Sequence, residues 1–140
     1  MEKVNSAGAI IYYKEKKEIK FLLLQYIGKY WEFARGHVEQ GESEIETAKR
    51  EIMEETGLKY LNFIDGFKTN SVWQYEQKNE KYDKDVTLFL AESKSDKVKI
   101  SHEHIGYTWL SPRKALDKIT FDNSKKAFMD ALDFLNIQHK

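Results

Sequence analysis

The feature that most constrains the fold is a helix with both of its ends marked in the sequence. Ser43 is followed three residues later by Glu46, which is the pattern of a capping box at a helix start. Gly57 supplies the left-handed conformation that ends a helix. The apolar side chains between these ends recur at the spacing of one helical face and are Ile45, Ala48 and Ile52. The sequence therefore predicts an amphipathic helix packed against another layer of the protein.

The same helix carries a cluster of carboxylates. Glu51, Glu54 and Glu55 stand at positions i, i+3 and i+4, so they share one helical face within a single turn. Like charges at this spacing destabilise a helix by roughly a few tenths of a kcal/mol per pair. A helical face that is merely solvated normally has lysines among its acidic residues. A hard divalent cation such as Mg²⁺ is the simplest partner for such oxygens, and Gly36 and Gly41 let the backbone pass close to an ion or a phosphate. The alternative is a Glu-rich helix that is merely solvated.

The segments before this helix predict strands. Val4–Tyr13 is rich in small and β-branched residues, Lys14–Glu18 is a charged turn, and Ile19–Tyr26 is a nearly continuous apolar run. This order predicts a hairpin whose second strand is buried on both faces. A further short strand is predicted at Trp31–Phe33.

The segments after the helix complete an α/β (α+β) domain. The predicted strands are Leu61–Phe67, Val86–Ala91 and Tyr107–Leu110, the first two being joined by a polar connection with scattered aromatic residues. A final amphipathic helix is predicted from Asn123 to Leu135. We therefore expect a central mixed sheet with helices packed on it, an α/β/α sandwich, in a single domain covering residues 1–140.

Composition limits the possible partners. The 23 basic and 23 acidic side chains cancel, so no overall field attracts nucleic acid or an acidic membrane. The absence of cysteine excludes disulfides and thiolate chemistry and fits a reducing compartment. The apolar run Phe21–Leu24 is too short to span a bilayer, and Met1–Val4 lacks the features of a signal peptide. We expect a cytoplasmic protein without a membrane partner, and its oligomeric state stays open.

The helix and the loop before it together resemble the Nudix box, G-x₅-E-x₇-R-E-U-x-E-E-x-G-U, in which U is a bulky apolar residue. Every specified position is filled, namely by Gly36, Glu42, Arg50, Glu51, Ile52, Glu54, Glu55, Gly57 and Leu58. Agreement at all of them is specific, whereas a lone glycine motif is weak. The resemblance implies a Nudix fold and Mg²⁺-dependent hydrolysis of a diphosphate bond, and Mn²⁺ can substitute for Mg²⁺.

The resemblance also implies roles for individual residues. Glu51, Glu54 and Glu55 would hold the metal, together with the carbonyl oxygen of Gly36. Glu42 and Gly57 would be structural, and Arg50 would orient the acid cluster through charge-assisted hydrogen bonds. The base that takes a proton from the attacking water would be Glu51 or a loop acid, for which Glu103 is the candidate, with Glu54 also among the catalytic residues.

Segments outside the box are similar to those of the asymmetric diadenosine tetraphosphate hydrolases of the animal and archaeal type. They are Ser6–Ile11, Phe21–Gln25, Trp31, Gly36–Glu39, Gly66–Lys68 and Ser101–His104 with Tyr107, Trp109 and Leu110. This subfamily converts its substrate to ATP and AMP by attack of water on the fourth phosphate. The resemblance implies a substrate-binding tyrosine after the box, which would be Tyr75, with Trp73 and Tyr82 as alternatives.

Chemistry adds further candidates for substrate binding. An adenine base stacks on aromatic rings, so Tyr107 joins Tyr75 and Tyr82 as a candidate. A polyphosphate needs cations, for which the candidates are Lys29, Arg35, Lys78, Lys81 and Lys84. Related enzymes carry Pro-Lys before the box glycine, and here Ala34 and Arg35 stand there. His102 and His104 flank Glu103, and we expect them to form hydrogen bonds rather than to bind zinc.

Other substrates and another class of protein remain open from the sequence. The same box chemistry serves nucleoside triphosphates, ADP-ribose and RNA 5′ ends, although the neutral charge disfavours a long RNA partner. A non-catalytic nucleotide sensor with the same fold would usually lack box carboxylates, whereas here they are complete.

Overall fold

The computed structural model describes residues 2–138 and begins with the predicted hairpin. Strand β1 (Glu2–Glu15) pairs antiparallel with β2 (Glu18–Tyr26), and the register sets Tyr12 opposite Phe21. Phe21 to Leu24 are all buried, which confirms the prediction that the second strand is covered on both faces. The alternation of side chains along these two strands sends residues to two separate cores.

The sheet continues on both sides of the hairpin and is mixed. Its other strands are β3 (Trp31–Glu32), β4 (Ala34–His37), β5 (Leu61–Phe63), β6 (Thr69–Gln77), β7 (Glu80–Ser93) and β8 (His104–Leu110). The main order is β3-β2-β1-β7-β5, with β4 beside β1, β6 beside β7 and β8 beside β2. Strands β1 and β7 are parallel and the other pairs are antiparallel.

Three helices cover this sheet on its two faces. Helix α1 (Glu44–Thr56) has the predicted capping box, because Ser43 and Glu46 each accept a hydrogen bond from the other's backbone N–H, and Gly57 ends it at a φ of 72°. Helix α2 (Pro112–Lys118) and helix α3 (Asp122–Phe134) follow the last strand. The predicted final helix is thus confirmed within one residue at each end.

Two cores give the molecule its three layers. One core lies between the sheet and helices α2 and α3, where Phe21, Leu23 and Leu88 meet Phe128 and Leu132. The other lies on the helix α1 side and contains Ala9, Ile11, Leu22, Leu24, Ala34, Ile52, Leu58 and Ala91. The predicted class of fold, a mixed sheet between helical layers, is confirmed.

The predicted connection between the later strands was wrong. Strand β5 ends at Phe63 rather than Phe67, and the polar segment that follows forms β6 and the first half of β7. These strands meet at a tight turn in which Lys78 and Asn79 have φ values of 52° and 64°. Their exposed outer half lacks the apolar alternation that marks a strand in a sequence, because it has little core to bury.

Three smaller elements also differ from the predictions. Strand β4 was not predicted, strand β8 begins at His104 rather than Tyr107, and helix α2 starts at Pro112, where proline fits the first turn of a helix. These segments are short, so their structure depends on pairing with β1 and β2 and on the core beneath helices α2 and α3 rather than on local pattern. In the described part of the chain, no helix has the length and apolar character needed to cross a membrane.

Candidate active site

The site is built where strand β4 passes beneath helix α1. Gly36 lies opposite Ala7 in the pairing of β4 with β1. A Cβ atom at position 36 would stand 2.0 Å from the carboxyl carbon of Glu51, so only glycine permits this approach. The box glycine therefore sets the distance between the strand and the first carboxylate of the cluster.

Arg50 contacts several acidic side chains of helix α1 and of the loop before it. Its Nε donates to Glu42 Oε2 at 2.7 Å and its Nη2 donates to Glu42 Oε1 at 3.0 Å and to the carbonyl oxygen of His37 at 3.1 Å. This two-pronged contact, with help from the backbone N–H of Glu39 and the hydroxyl of Thr47, lowers the pKa of Glu42 to about 2. Glu42 therefore ties the loop to the helix through Arg50.

The remaining nitrogen of Arg50 turns toward the acid cluster. Nη1 lies 3.1 Å from Glu51 Oε1 and 3.4 Å from Glu54 Oε2. The hydrogen bonds with Glu42, and then the charge of Glu51, raise the pKa of Arg50 above its ordinary value. One guanidinium thus contacts three carboxylates.

Glu55 is the buried member of the cluster, with only 3% of its surface exposed. Burial raises its pKa to about 10, and a hydrogen bond with Glu51 and the charge of Glu51 act in the same direction. Nε2 of His104 lies 3.4 Å from Glu55 Oε1. An added positive charge near Glu55 would reduce the cost of ionising this buried carboxyl group.

These carboxylates line a cleft of about 440 Å³. Its acidic wall is formed by Glu39, Glu51, Glu54, Glu55 and Glu103, with Arg50 among them. Its cationic wall is formed by Arg35 and Lys84, and the Arg35 guanidinium lies 5.7 Å from the centre of the Trp73 ring. Burial, and then the charge of Arg35, lowers the pKa of Lys84. The cleft therefore brings carboxylates and cations together in one lining, which suits a metal ion and the phosphates bound to it.

The structure brings together the predicted catalytic residues but only two of the predicted substrate-binding residues, Arg35 and Lys84. Gly36, Arg50, Glu51, Glu54, Glu55, Glu103 and Arg35 all line the cleft. Lys29 lies in the exposed turn after β2, and Tyr107 lies on β8, where it pairs with Leu24. Neither of these two side chains lines the cleft.

Tyr75 and Tyr82 lie just beyond the cleft rather than in it. Their rings stack at 5.2 Å between centroids with an interplanar angle of 15°. Tyr82 is two residues before Lys84 on β7, and Tyr75 is two residues after Trp73 on β6, so both pairs share one face of the sheet. The two tyrosines therefore extend the cationic wall outward along the β6–β7 hairpin.

Two aromatic residues of the cleft were not singled out from the sequence. Tyr26 donates its hydroxyl hydrogen to the carbonyl oxygen of Phe33 at 2.7 Å, and burial raises its pKa well above the ordinary value. Tyr30 stacks on Tyr26 at 5.0 Å with an interplanar angle of 9°. No local pattern marks them, since their position depends on the turn between β2 and β3. Ser6 also lines the cleft, from strand β1.

The donor set fits a divalent cation by its chemistry. Five carboxylates and Gly36 border one cleft, and Oε1 of Glu55 is buried without a hydrogen-bond partner. Among residues 2–138, no three His, Asp or Glu side chains stand close enough together to form a metal site as they are placed, and Arg50 contacts Glu51 and Glu54. A hard cation would offset both the burial and the neighbouring charge that raise the pKa of Glu55.

Comparison with known proteins agrees with this geometry. The NUDIX domain family matches residues 2–132. The asymmetrical bis(5′-nucleosyl)-tetraphosphatase of Mus musculus is 36% identical over 127 residues, which is 86% of this chain and 84% of that protein. The same-named protein of Caenorhabditis elegans is 34% identical over 116 residues, which is 81% of this chain and 83% of the relative. A solved C. elegans Ap4A hydrolase binary complex has a TM-score of 0.84 and 30% identity, with 95% of this chain and 98% of that one covered.

The chain belongs to the NUDIX domain family. The predicted family, the resemblance to asymmetric diadenosine tetraphosphate hydrolases and the assignment to the Nudix hydrolases are all confirmed. Members of this family typically need a divalent metal.

Proposed function

We propose that the chain is a Mg²⁺-dependent hydrolase of nucleoside polyphosphates and that diadenosine tetraphosphate is its substrate, cleaved to ATP and AMP. The observation that carries this proposal is the cleft in which the box carboxylates face Arg35 and Lys84. The choice of substrate is supported by the 36% identity to a mouse protein named for the asymmetrical cleavage of bis(5′-nucleosyl) tetraphosphates.

The residues that would hold Mg²⁺ are Glu51, Glu54 and Glu55, with the carbonyl oxygen of Gly36, and Mn²⁺ can substitute. Bound there, the ion would supply neutralisation of phosphate charge and a more acidic water. Arg50 would keep Glu51 and Glu54 in the directions that it holds here. Glu42 anchors Arg50 and Gly57 ends the helix, so neither touches the substrate in this proposal.

The reacting water would be deprotonated by Glu103, which lines the cleft from the loop before β8. The water oxygen would bond to the fourth phosphorus while the bond from that phosphorus to its bridging oxygen breaks. ATP leaves with the bridging oxygen, AMP carries the oxygen of water, and the proton passes to Glu103. We assign the base to Glu103 because Glu51 already accepts from Arg50.

The polyphosphate would lie along the cationic wall. Arg35 offers a planar guanidinium that suits two-pronged contact with phosphate oxygens. Tyr75 and Tyr82 continue the same face of the sheet beyond Lys84 and would stack on an adenine base. In this proposal Lys29 and Tyr107 do not bind the substrate, since neither lines the cleft.

Other substrates would use the same acidic wall, so nucleoside triphosphates, ADP-ribose and RNA 5′ ends are compared in the test. A non-catalytic sensor is the alternative from another class, and the complete set of box carboxylates argues against it. We also propose that the protein acts in the cytoplasm.

The test is hydrolysis of diadenosine tetraphosphate in ¹⁸O-labelled water with Mg²⁺, followed by mass spectrometry of the products. ATP and AMP should form, with the label in AMP alone. Label in ATP would move the attack to the third phosphorus. Cleavage of only another substrate would keep the chemistry and overturn the proposed substrate.

Variants separate an enzyme from a sensor. Glu54→Gln and Glu55→Gln should abolish product formation, whereas Glu15→Gln, at the exposed end of β1, should leave it unchanged. Tight nucleotide binding by the wild-type protein without cleavage of any diphosphate would favour the sensor.

A further inference from the structure

His104 is fixed on two sides at the start of strand β8. Its Nδ1 lies 3.2 Å from Ser101 Oγ, and its ring meets the ring of Tyr26 edge-on at 4.4 Å between centroids. The side chain has no exposed surface. A ring held in this way has one free nitrogen, Nε2, with a direction set by the fold.

That nitrogen faces the buried carboxylate of the cluster. Nε2 of His104 lies 3.4 Å from Glu55 Oε1, and within the described chain neither atom has a hydrogen-bond partner. Leaving a buried donor or acceptor unpaired costs about 1–3 kcal/mol. A hydrogen bond between these two atoms would therefore remove the cost for both.

The contacts around Ser101 allow the ring hydrogen to be on Nε2 of His104. The backbone N–H of Glu103 donates to Ser101 Oγ at 3.4 Å, and the serine hydroxyl can donate its own hydrogen to Nδ1 of His104. With Nδ1 as acceptor, the ring carries its hydrogen on Nε2, directed at Glu55.

The same contacts join the loop of Glu103 to helix α1. The backbone N–H of Ser101 donates to the carbonyl oxygen of Glu55 at 3.3 Å, and that of Lys99 donates to the carbonyl oxygen of Thr56 at 2.9 Å. His104 adds a side-chain contact to these backbone ones. Its ring contacts a carboxylate proposed as a metal ligand, and His104 directly follows in sequence the acid proposed as the base.

We propose that His104 is a positioning residue of the reaction: its ring, through Nε2–H, sets the orientation of the Glu55 carboxylate and keeps the Glu103 loop in register with helix α1. The inference rests on the proposed role of Glu55 in metal binding. It predicts that a side chain of similar size without the donor keeps the fold but loses the orientation of the metal ligand.

The first experiment observes the tautomer without any metal or substrate. Long-range ¹H–¹⁵N spectra of the labelled protein distinguish hydrogen on Nε2 from hydrogen on Nδ1, and His104→Gln assigns the signal among the four histidines. The Nε2–H form is expected. A ring with its hydrogen on Nδ1 would overturn the proposal, because Nε2 would then offer Glu55 no donor.

The second experiment titrates the whole protein with Mn²⁺ and follows binding by electron paramagnetic resonance. His104→Phe should weaken binding by about 10–100-fold, the usual cost of removing a group that orients a metal ligand. His104→Gln keeps an N–H donor and should recover most of the affinity. His102→Gln, at the exposed neighbouring histidine, is the matched control and should bind as the wild type does.

Kinetics and Glu55→Gln separate this inference from the proposed function. With diadenosine tetraphosphate, His104→Phe should lower kcat and leave KM nearly unchanged, because no contact to the substrate is lost. If Glu55→Gln leaves Mn²⁺ affinity unchanged, the proposed metal role of Glu55 fails. If Glu55→Gln weakens binding and His104→Phe does not, only the role of His104 fails.

A thermal melting curve of each variant checks that the variant is folded, so that weaker binding is not caused by unfolding. If His104→Phe does not fold, Ser101→Ala takes its place, because it removes only the hydroxyl that sets the tautomer. Loss of the Nε2–H signal together with weaker Mn²⁺ binding in Ser101→Ala would support the proposal. Wild-type affinity in that variant, with the tautomer changed, would overturn it.

Discussion

The two walls of the cleft are built by different means. The acidic wall comes almost entirely from one helix and the loop before it, where Arg50 reaches Glu42, Glu51 and Glu54. The cationic wall takes Arg35 from β4 and Lys84 from β7, which are brought together only because both strands pair with β1. Local spacing therefore makes the first wall, and long-range strand pairing makes the second.

This difference predicts different consequences of substitution. The acidic wall holds the groups that would act on the reacting phosphorus, so changes there should reduce kcat. The cationic wall and its tyrosines would hold parts of the substrate distant from the reacting atom, so changes there should raise KM.

Gly36→Ala should have the largest effect. The added methyl group would stand 2.0 Å from the carboxyl carbon of Glu51, so that carboxylate must move. A displacement of about 1 Å at a catalytic group can cost about 10²-fold in rate, and we expect a loss of kcat of that order. Gly106→Ala is the control, since its Cβ meets nothing nearer than 3.6 Å. Equal activity of the two variants would contradict the strand-to-helix approach described here.

Arg35→Gln should raise KM for diadenosine tetraphosphate by about 10–100-fold. This factor corresponds to the loss of about 1.5–3 kcal/mol, which is typical of a hydrogen bond to a charged group. Arg35→Lys keeps the charge and should recover part of the loss. Lys29→Gln changes a lysine outside the cleft and should leave KM unchanged. The measurement is steady-state kinetics of each variant. A fall in kcat without a rise in KM for Arg35→Gln would contradict a substrate-binding role for the cationic wall.

Tyr75→Ala should raise KM by about 5–10-fold, near the lower limit of about 1–3 kcal/mol for a base stacked on an aromatic ring. Tyr107→Ala is the matched control, because Tyr75 and Tyr107 are 40% and 42% exposed. The two tyrosines lie on strands near opposite edges of the sheet, β6 beside β7 and β8 beside β2. If Tyr107→Ala has the larger effect, the substrate does not follow the β6–β7 hairpin.

The smallest effect concerns stability and pH. The Arg50 guanidinium holds the pKa of Glu42 at about 2, below its ordinary value of 4.5. Because the folded-state pKa is depressed, the stabilisation is complete above about pH 4.5 and is lost as pH falls through about 2. The melting temperatures of the wild type and Glu42→Gln should therefore differ at neutral pH and converge near pH 2. A difference that persists at pH 2 would show that another contact is responsible.

The sequence predicted the acidic wall in detail, because that wall is local. The capping box at Ser43, the stop at Gly57 and the carboxylates between them follow from spacing along one helix, and the structure contains them all. The β6–β7 hairpin was missed because its exposed outer part has no apolar alternation. Tyr26 and Tyr30 carry no local signal at all, so their position beside the cleft could not be predicted.

By itself, the sequence determined the fold family, the acid cluster and the helix that presents it, since capping, helical spacing and the box motif act over a few residues. Only the tertiary structure decided that Arg35 and Lys84 face the acids, that Tyr75 and Tyr82 prolong the cationic wall, and that His104 meets Glu55. These contacts join strands far apart in the chain. Their geometry is set by sheet register and burial in the two cores, which no local pattern encodes.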